Sequence, residues 1–385
     1  MNTETVKGFD DYIGEEAEKR REIKRIIEET FRVYGFSPAE TPVIEYEEFV
    51  KGDNAQDEAI SDIFRLEDKG KRKLALRYEF TFQLKRLIKN QKLPFKRYQI
   101  GGVFRDEPVS ANRFRQITQC DADTIGSDLK DEAELLTMTN DILNKLGIKS
   151  IICFNNRKLL NEILDKENIK NKGAVLREID KLDKLPEKEI LENLKKYKAE
   201  KILNVIRNKE SFFEKYDTYS EIKELKRLCK NYGIKIEFQP YLARGLSYYN
   251  GTVFEIKTKE MKETICGGGS YSVNGINSTG ISFGVERLSK LAKIIPAVKK
   301  ILIISINEDK KAINLAQELR KNDVSCMIQF GKISKALDYA NSLKIPYAVF
   351  IGKEEVGKGK IKIRDMKSGK EQLLTVAQLI KKLKI

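Results

Sequence analysis

The sequence contains no histidine in its 385 residues. Without an imidazole side chain, a Ser-His-Asp triad, a Cys-His pair and a HExxH zinc site are all excluded. An enzyme with this sequence must therefore use the placement of charges, carboxylates or groups of the substrate itself.

Cysteine and long apolar runs are also scarce. The five cysteines form no CxxC pair, which argues against zinc ribbons and disulfide scaffolds: Cys120, Cys153, Cys229, Cys266 and Cys326. No apolar run reaches the roughly 20 residues that a bilayer requires. The first residues alternate in charge, unlike a signal peptide. We therefore expect a cytoplasmic protein without membrane association and without a metal site made by protein groups alone.

Basic side chains outnumber acidic ones, with 73 Lys and Arg against 58 Asp and Glu and a formal net charge of +15. A positive surplus is compatible with a polyanionic partner, and nucleic acid is the first candidate. The alternative is a general enrichment in lysine without functional meaning.

One stretch, LARGLSYYNGTVFEI (242–256), combines Arg244 with two adjacent tyrosines, Tyr248 and Tyr249. Asn250-Gly251 predicts a turn, and the apolar residues that follow predict a strand. A guanidinium and two phenols beside glycines suit a small polar substrate with a phosphate nearby. The alternative is a tyrosine-rich core hairpin with a surface arginine.

Residues 63–88 predict a hairpin, followed by a helix from about Phe80. Glu79 and Thr81 lie where the second strand ends. Because an ionised carboxylate accepts charge-assisted hydrogen bonds, this pair is suited to an ammonium group. The alternative is a carboxylate that favours the start of a helix through the macrodipole.

Residues 98–127 predict two strands joined by a polar loop. Arg105 and Glu107 end the first strand, and Arg113 and Phe114 open the second. Arginine suits phosphate because its fork is planar and permanently charged. The return strand carries further polar residues: Gln119, Asp121 and Asp123. The alternative is the solvated face of an ordinary hairpin.

The remaining segments predict the organisation of the chain. Residues 15–33 form an amphipathic helix that precedes a strand led by Pro42, and residues 160–231 are helical and highly charged. Three consecutive glycines, Gly267 to Gly269, permit close backbone approach. GISFGVERL, which contains Arg287, ends a strand and opens a helix. From residue 298, short apolar strands alternate with helices, which predicts a small α/β domain with a largely parallel sheet.

These stretches resemble the histidyl-tRNA synthetases over nearly the whole chain. RGLSYY and GGGSYS resemble the two histidine signatures of that family, and FRDE followed by RFR resembles a motif of class II synthetases. The resemblance implies an α/β fold with a mainly antiparallel sheet flanked by helices. It implies a catalytic domain over 1–297, with a helical insertion at about 160–232, and an anticodon-binding domain over 298–385.

The resemblance also implies the roles of individual residues. The histidine pocket would comprise Glu79, Thr81, Arg105, Gln119, Asp123, Arg244, Tyr248, Tyr249 and Tyr271. The ATP site would comprise Arg105, Glu107, Arg113, Phe114 and Arg287. Arg105 and Arg244 would be the catalytic cations, Asp123 would pair with an imidazole N–H, and Phe114 would stack on adenine.

As a member of this family, the chain would join L-histidine to tRNA(His), using ATP with Mg²⁺ bound to its phosphates. QCDAD (119–123) resembles the archaeal and eukaryotic enzymes. A homodimer built on residues 15–45 is expected. Alternatives are a catalytically silent paralogue that binds histidine or tRNA as a regulatory or sensor protein, a class IIa synthetase for another amino acid, and a plain RNA-binding module.

The two signatures depart from the family pattern at three serines, which replace Asp, Arg and Asp: Ser247, Ser270 and Ser272. A buried ion network is tolerable only when every member is paired. We therefore expect a coordinated replacement of one charged shell behind Tyr248 and Tyr271. The alternative is three exposed positions that changed independently.

Overall fold

The computed structural model describes residues 1–52, 58–182, 185–244, 248–294, 301–357 and 359–383. The chain divides into two compact units, Met1–Ile294 and Ile295–Ile385. The domain boundary predicted at 297/298 falls outside the described residues and stays a prediction.

In the first unit, the helices are α1 (Gly14–Val33), α2 (Glu47–Lys51), α3 (Glu58–Ser61), α4 (Leu84–Leu87), α5 (Leu129–Lys145), α6 (Arg157–Lys166), α7 (Lys172–Ile179), α8 (Glu187–Lys195), α9 (Ile202–Ile206), α10 (Tyr219–Asn231) and α11 (Val285–Leu291). The strands are β1 (Ser37–Pro38), β2 (Ile44–Tyr46), β3 (Arg65–Glu67), β4 (Lys73–Leu76), β5 (Phe95–Phe104), β6 (Gln116–Ile125), β7 (Ile151–Asn156), β8 (Ile236–Phe238), β9 (Tyr249–Lys257), β10 (Cys266–Val273) and β11 (Ile276–Gly284).

An eight-stranded sheet organises this unit, in the order β1-β5-β6-β11-β10-β9-β7-β8. The strands from β5 to β7 pair antiparallel with their neighbours, whereas β1 is parallel to β5 and β8 is parallel to β7. This confirms the mainly antiparallel sheet that the sequence predicted. The sheet also brings β9 and β10 side by side; β10 contains the second signature, GGGSYS, and β9 begins at Tyr249, the last residue of the first.

Helix α1 packs on this sheet because its apolar residues recur every four positions. Ile23, Ile27 and Phe31 are fully buried, as the amphipathic pattern predicted. The Phe31 ring lies 5.5 Å from that of Tyr98 on β5 and 6.2 Å from that of Phe283 on β11, measured between centroids. The apolar side of α1 is therefore used within its own unit.

A second, three-stranded sheet in the order β2-β4-β3 contains the predicted hairpin. The helix expected after this hairpin is shorter than predicted, because α4 begins at Leu84 rather than at about Phe80 and spans four residues. The turn predicted at Asn250-Gly251 is wrong, since both residues lie inside β9. A Cβ at Gly251 would lie 3.0 Å from the Ser270 Cβ, so glycine at this position allows β10 to approach closely.

The second unit contains β12 (Ile301–Ser305), α12 (Asp309–Lys321), β13 (Cys326–Phe330), α13 (Ile333–Ser342), β14 (Tyr347–Ile351), α14 (Lys353–Gly357), β15 (Ile361–Asp365), β16 (Glu371–Leu374) and α15 (Val376–Leu383). Its sheet has the order β13-β12-β14-β15-β16. The first three strands are parallel and the last two antiparallel. Leu373 lies in β16, and the terminal helix begins at Val376. Among the described residues of both units, no helix is long and apolar enough to span a bilayer.

Candidate active site

Three tyrosines from the two signatures meet where β9 begins. Tyr271 on β10 pairs with Tyr249 on β9. The Tyr248 ring lies 4.7 Å from the Tyr249 ring and 5.6 Å from the Tyr271 ring, measured between centroids. The antiparallel register therefore brings together residues that are more than 20 positions apart in sequence, in a buried tyrosine cluster of Tyr248, Tyr249 and Tyr271.

The predicted ammonium site borders this cluster. The Tyr248 hydroxyl donates to Glu79 Oε2 at 3.4 Å. A cavity of about 290 Å³ is lined by Glu79, Thr81, Tyr248 and Tyr271, together with residues of α2, α4 and the turn after β10. Four of the predicted pocket residues thus line one cavity, which is large enough for a small polar molecule.

The carboxylates beside this cavity are buried. Burial raises the pKa of Glu79 to about 7, and the Asp121 carboxylate raises it further, whereas the Arg105 guanidinium opposes the shift. Burial also raises the pKa of Asp121 to about 7, with a further contribution from Asp123. A positively charged ligand group would favour the ionised form of these acids. The cavity is therefore suited to a cation.

Asp123 is held by two groups within the protein. Arg97 Nη2 lies 2.8 Å from Asp123 Oδ2, and both side chains are buried. The Tyr271 hydroxyl donates to the other carboxylate oxygen. Sequence reasoning missed Arg97, although an arginine within the sheet strand FKRYQIGGVF is itself a sign of a buried partner.

A second group of residues is dominated by arginine. Arg105 Nε donates to the Tyr78 carbonyl at 3.0 Å and Nη2 donates to Gln119 Oε1 at 3.3 Å. Burial lowers the pKa of Arg287, and the positive charges of Arg113 and Arg105 act in the same direction. We call Arg105, Arg113 and Arg287 the arginine cluster, and a polyanion is the ligand that such a cluster favours.

Two carboxylates lie near the arginine cluster. Glu107 Oε2 lies 3.4 Å from Arg113 Nε, and the charge of Glu263 acts on Arg287. Among the described residues, no group of three or more His, Cys, Asp or Glu side chains could hold a metal ion.

Phe114 lines a different cavity, of about 380 Å³, with residues of α1 and α11, and Lys290 Nζ lies 5.5 Å from its ring centroid.

Arg244 lies beside the tyrosine cluster, 5.7 Å from the Tyr249 ring centroid. Its Nη1 donates to Glu255 Oε1 at 3.2 Å. A Cβ at Gly267 would lie 2.0 Å from that nitrogen, so the guanidinium packs directly on the backbone of β10. Sequence reasoning missed Glu255, although a glutamate in the otherwise apolar run TVFEI is again a sign of a buried partner.

Ser270 and Ser272 do not share one shell. Ser247 lies outside the described residues. The Ser270 hydroxyl donates to the buried carboxylate of Glu132 on α5, whereas Ser272 is exposed at the rim of the cavity. The prediction of a coordinated replacement is therefore wrong for Ser270 and Ser272.

Comparisons with known proteins cover the whole chain. The family model described as "Histidyl-tRNA synthetase" matches residues 8–288, and that described as "Anticodon binding domain" matches residues 294–384. A protein of Bacillus cereus named "Histidine--tRNA ligase 1" is 35% identical, over 98% of this chain and 99% of its own length.

Solved structures share the fold. The histidyl-tRNA synthetase of Nostoc sp. PCC 7120 aligns with a TM-score of 0.87 at 24% identity, over 100% of this chain and 99% of that one. A Bacillus halodurans protein described as an ATP phosphoribosyltransferase regulatory subunit/histidyl-tRNA synthetase aligns with a TM-score of 0.74 at 19% identity, over 88% of this chain and 96% of that one.

Proposed function

Because the chain belongs to the histidyl-tRNA synthetase family, we propose that it is a histidine–tRNA ligase that activates L-histidine with ATP and transfers it to tRNA(His). The observation that carries this proposal is the arrangement of charge in the first unit. Buried carboxylates and tyrosines border a cavity for a small cation, and an arginine cluster lies near the same strands.

The first step needs no general base. The carboxylate of histidine is already ionised and attacks the α-phosphate of ATP, and pyrophosphate leaves. The work of the enzyme is therefore to orient the two reactants and to stabilise the negative charge that builds up at phosphorus. We assign this task to Arg105 and Arg244. A chain without histidine is compatible with such a reaction, since no imidazole proton transfer is involved.

The histidine pocket is assigned by its chemistry. Glu79 and Thr81 accept the α-ammonium group, which favours the ionised form of a carboxyl group whose pKa burial has raised. Asp123 lies at the imidazole end, fixed by Arg97 and Tyr271. The Gln119 amide accepts from Arg105 and donates to Asp121.

The ATP site is assigned to the arginine cluster with Glu107 and Phe114. Magnesium would arrive with ATP and neutralise charge on the β- and γ-phosphates. The carboxylates of Glu107 and Glu263 fit this, because carboxylate oxygens are ligands that Mg²⁺ prefers. Stacking of adenine on Phe114 remains a proposal that requires this ring to turn from the cavity beside α1.

The alternative is a silent paralogue that binds histidine without activating it, and the fold shared with the Bacillus halodurans protein keeps it open. An intact arginine cluster and Arg244 favour catalysis. Pyrophosphate exchange measured with each amino acid in turn separates the two: we expect exchange with histidine alone. Histidine binding without exchange would favour the paralogue, and exchange with another amino acid would reject the histidine assignment.

For the second step, we propose that the unit Ile295–Ile385 binds the anticodon of tRNA, as its family model suggests. Binding of tRNA should weaken steeply as salt rises, because Lys and Arg release counterions from the RNA backbone. Deletion of residues 298–385 should lower tRNA charging far more than adenylate formation. An equal loss in both assays would reject an RNA-binding role for this unit.

We also propose a homodimer. Because the apolar side of α1 packs within its own unit, we do not assign the dimer surface to it. The small sheet instead exposes Ile44 and Tyr46 on β2 and Leu66 on β3, with exposed fractions of 48%, 52% and 40%. Tyr46 and Leu66 both pair with Leu74 on the central strand β4, which brings them together on one apolar face.

Sedimentation at micromolar concentration tests the dimer. We expect a species of about twice 44.3 kDa, which Tyr46→Lys should convert to monomer. Val33→Lys changes an equally apolar exposed residue at the end of α1 and should leave the dimer intact. An active wild-type monomer would reject the proposal.

The relatives named above are bacterial, so they give no support to an archaeal or eukaryotic type. We propose the cytoplasm as the compartment because tRNA and ATP are present there. The five cysteines are free and buried, which is compatible with a reducing environment.

A further inference from the structure

The connection between β9 and β10 forms hydrogen bonds with Arg287 and with Glu255, the carboxylate partner of Arg244. The Thr264 hydroxyl donates to Glu255 Oε2 at 2.9 Å, and Glu255 Oε1 accepts from Arg244 Nη1 at 3.2 Å. The Thr264 carbonyl oxygen accepts from Arg287 Nη1 at 2.7 Å. A single residue therefore holds Arg287 through its main chain and reaches Arg244 through one carboxylate.

The preceding residue extends this connection to the loop that carries Arg113. Glu263 Oε1 accepts from Asn112 Nδ2 at 3.0 Å, and the Asn112 amide oxygen accepts from Lys290 Nζ at 2.8 Å. Asn112 directly precedes Arg113. The segment 263–264 thus contacts Arg287 directly, Arg244 through Glu255, and Asn112, the residue before Arg113.

Arg244 depends on such support. Its backbone has a φ of 53°, in the left-handed region that arginine seldom adopts. Its Nη1 is engaged by Glu255, whereas its Nε is buried and has no hydrogen-bond partner among the described residues. The bond to Glu255 therefore sets the direction of a guanidinium that retains a free donor for a ligand.

We propose that Thr264 is a positioning residue for adenylate formation, which fixes Arg244 through Glu255 and fixes Arg287 through its own carbonyl oxygen. The inference rests on the proposed function. Thr264 is not among the residues that we assign to either substrate, and its hydroxyl and carbonyl bond to Glu255 and Arg287. A cation stabilises the transition state only where its donors are aimed at the developing charge. Without the hydroxyl, Glu255 loses one of its two partners, and the carboxylate and Arg244 can rotate together into the neighbouring cavity, of about 290 Å³, which Glu255 and Thr264 both line.

Thr264→Val tests this link because valine has nearly the shape of threonine, lacks the hydroxyl and keeps the carbonyl that holds Arg287. We expect kcat for histidine-dependent pyrophosphate exchange to fall about tenfold while KM values change by less than about twofold. Thr264→Ser restores the hydroxyl and should recover most of the rate. Thr258→Val, at the other end of the same connection, should retain the wild-type rate, because within the described residues this hydroxyl accepts only from the Glu260 amide.

A double-mutant cycle distinguishes positioning from general damage. Thr264→Val should have no further effect when Arg244 is already alanine, and its full effect when Arg287 is alanine. A tenfold loss in both backgrounds, or a serine variant as slow as the valine variant, would overturn the proposal. Glu255→Gln examines the same link from the carboxylate and should match Thr264→Val. If it retained full activity, the proposal would also fail.

Crystal structures of the two Thr264 variants provide a readout that does not depend on catalysis. The Arg244–Glu255 contact should persist in the serine variant and be lost in the valine variant, whereas the Arg287 contact should persist in both. A wild-type protein without histidine-dependent exchange would reject the proposed function. The crystal structures would still decide whether Thr264 positions Arg244, and an unchanged contact in the valine variant would show that it does not.

Discussion

On the proposed phosphate side of the site, the charges of Arg105 and Arg113 lie close enough to act on Arg287. On the proposed histidine side lie two buried carboxyl groups, those of Glu79 and Asp121, whose pKa values burial raises to about 7. Burial disfavours the charged form of these two carboxyl groups on one side and of Arg287 on the other. A ligand with an ammonium group at one end and phosphates at the other would balance both, which suggests that substrate binding completes the electrostatics of this fold.

The largest effect should come from the loss of Arg244, the cation beside the tyrosine cluster that we propose acts at phosphorus. Arg244→Ala removes a preorganised cation and should lower adenylate formation by a factor of about a hundred or more, while histidine binding stays measurable. Pyrophosphate exchange gives the rate, and calorimetry gives the binding. Arg25→Ala is the matched control, because Arg25 forms ion pairs on the exposed face of α1. An exchange rate that survives in Arg244→Ala would mean that another arginine faces the phosphorus.

On the histidine side we expect a smaller change, and in binding rather than in rate. Glu79→Gln removes the charge that would pair with the ammonium group and should weaken histidine binding by about ten- to a hundredfold, with little change in ATP affinity. Isothermal calorimetry with each substrate measures this difference. An equal loss of affinity for histidine and for ATP would contradict the proposal that Glu79 belongs to the histidine side alone.

Glu132→Gln serves as the control for that experiment. Glu132 is another buried carboxylate of the same unit, and burial raises its pKa as well. It contacts Ser270 rather than the cavity. Histidine affinity should therefore be retained, and a loss as large as that of Glu79→Gln would mean that burial of charge, not contact with the ligand, determines the effect.

The sequence predicted the proposed ligand-binding side chains better than the charged residues that pair with them. Glu79, Thr81, Tyr248 and Tyr271 could be assigned to one pocket because the motifs that contain them resemble those of a known family. Arg97 and Glu255 were missed, because the ion pair of Arg97 with Asp123 and that of Glu255 with Arg244 depend on strand register and loop path, which local patterns do not encode.

Local signals were also overridden by tertiary structure. Asn250-Gly251 is a turn signal, yet pairing of β9 with its neighbours keeps both residues extended, and the missing side chain at Gly251 leaves room for Ser270. For Phe114, the motif predicts a place beside adenine, whereas its ring lines the cavity beside α1. Resemblance to a motif predicts which residues lie near a site, but it does not predict the rotamer that each side chain adopts there.

The smallest effect concerns stability in the absence of substrates. Burial raises the pKa of Glu79 to about 7 in the folded protein, whereas the ordinary pKa, which applies in the unfolded chain, is 4.5. Between these two pKa values the carboxyl group is ionised in the unfolded chain but protonated in the folded protein, so rising pH favours unfolding. Below about pH 4.5 it is protonated in both states and no longer makes stability depend on pH. Asp121 acts in the same direction.

Glu79→Gln should therefore flatten the decline of the free energy of unfolding with rising pH. Because Glu79 faces a cavity, we expect wild type and variant to differ by about 1 kcal/mol in their change between pH 5 and pH 7.5. Urea unfolding at a series of pH values measures it, with the exposed Glu48→Gln as control. A wild type that gained stability over this window relative to Glu79→Gln would mean that the carboxylate is already balanced by a cation, and the contrast between the two sides would then disappear.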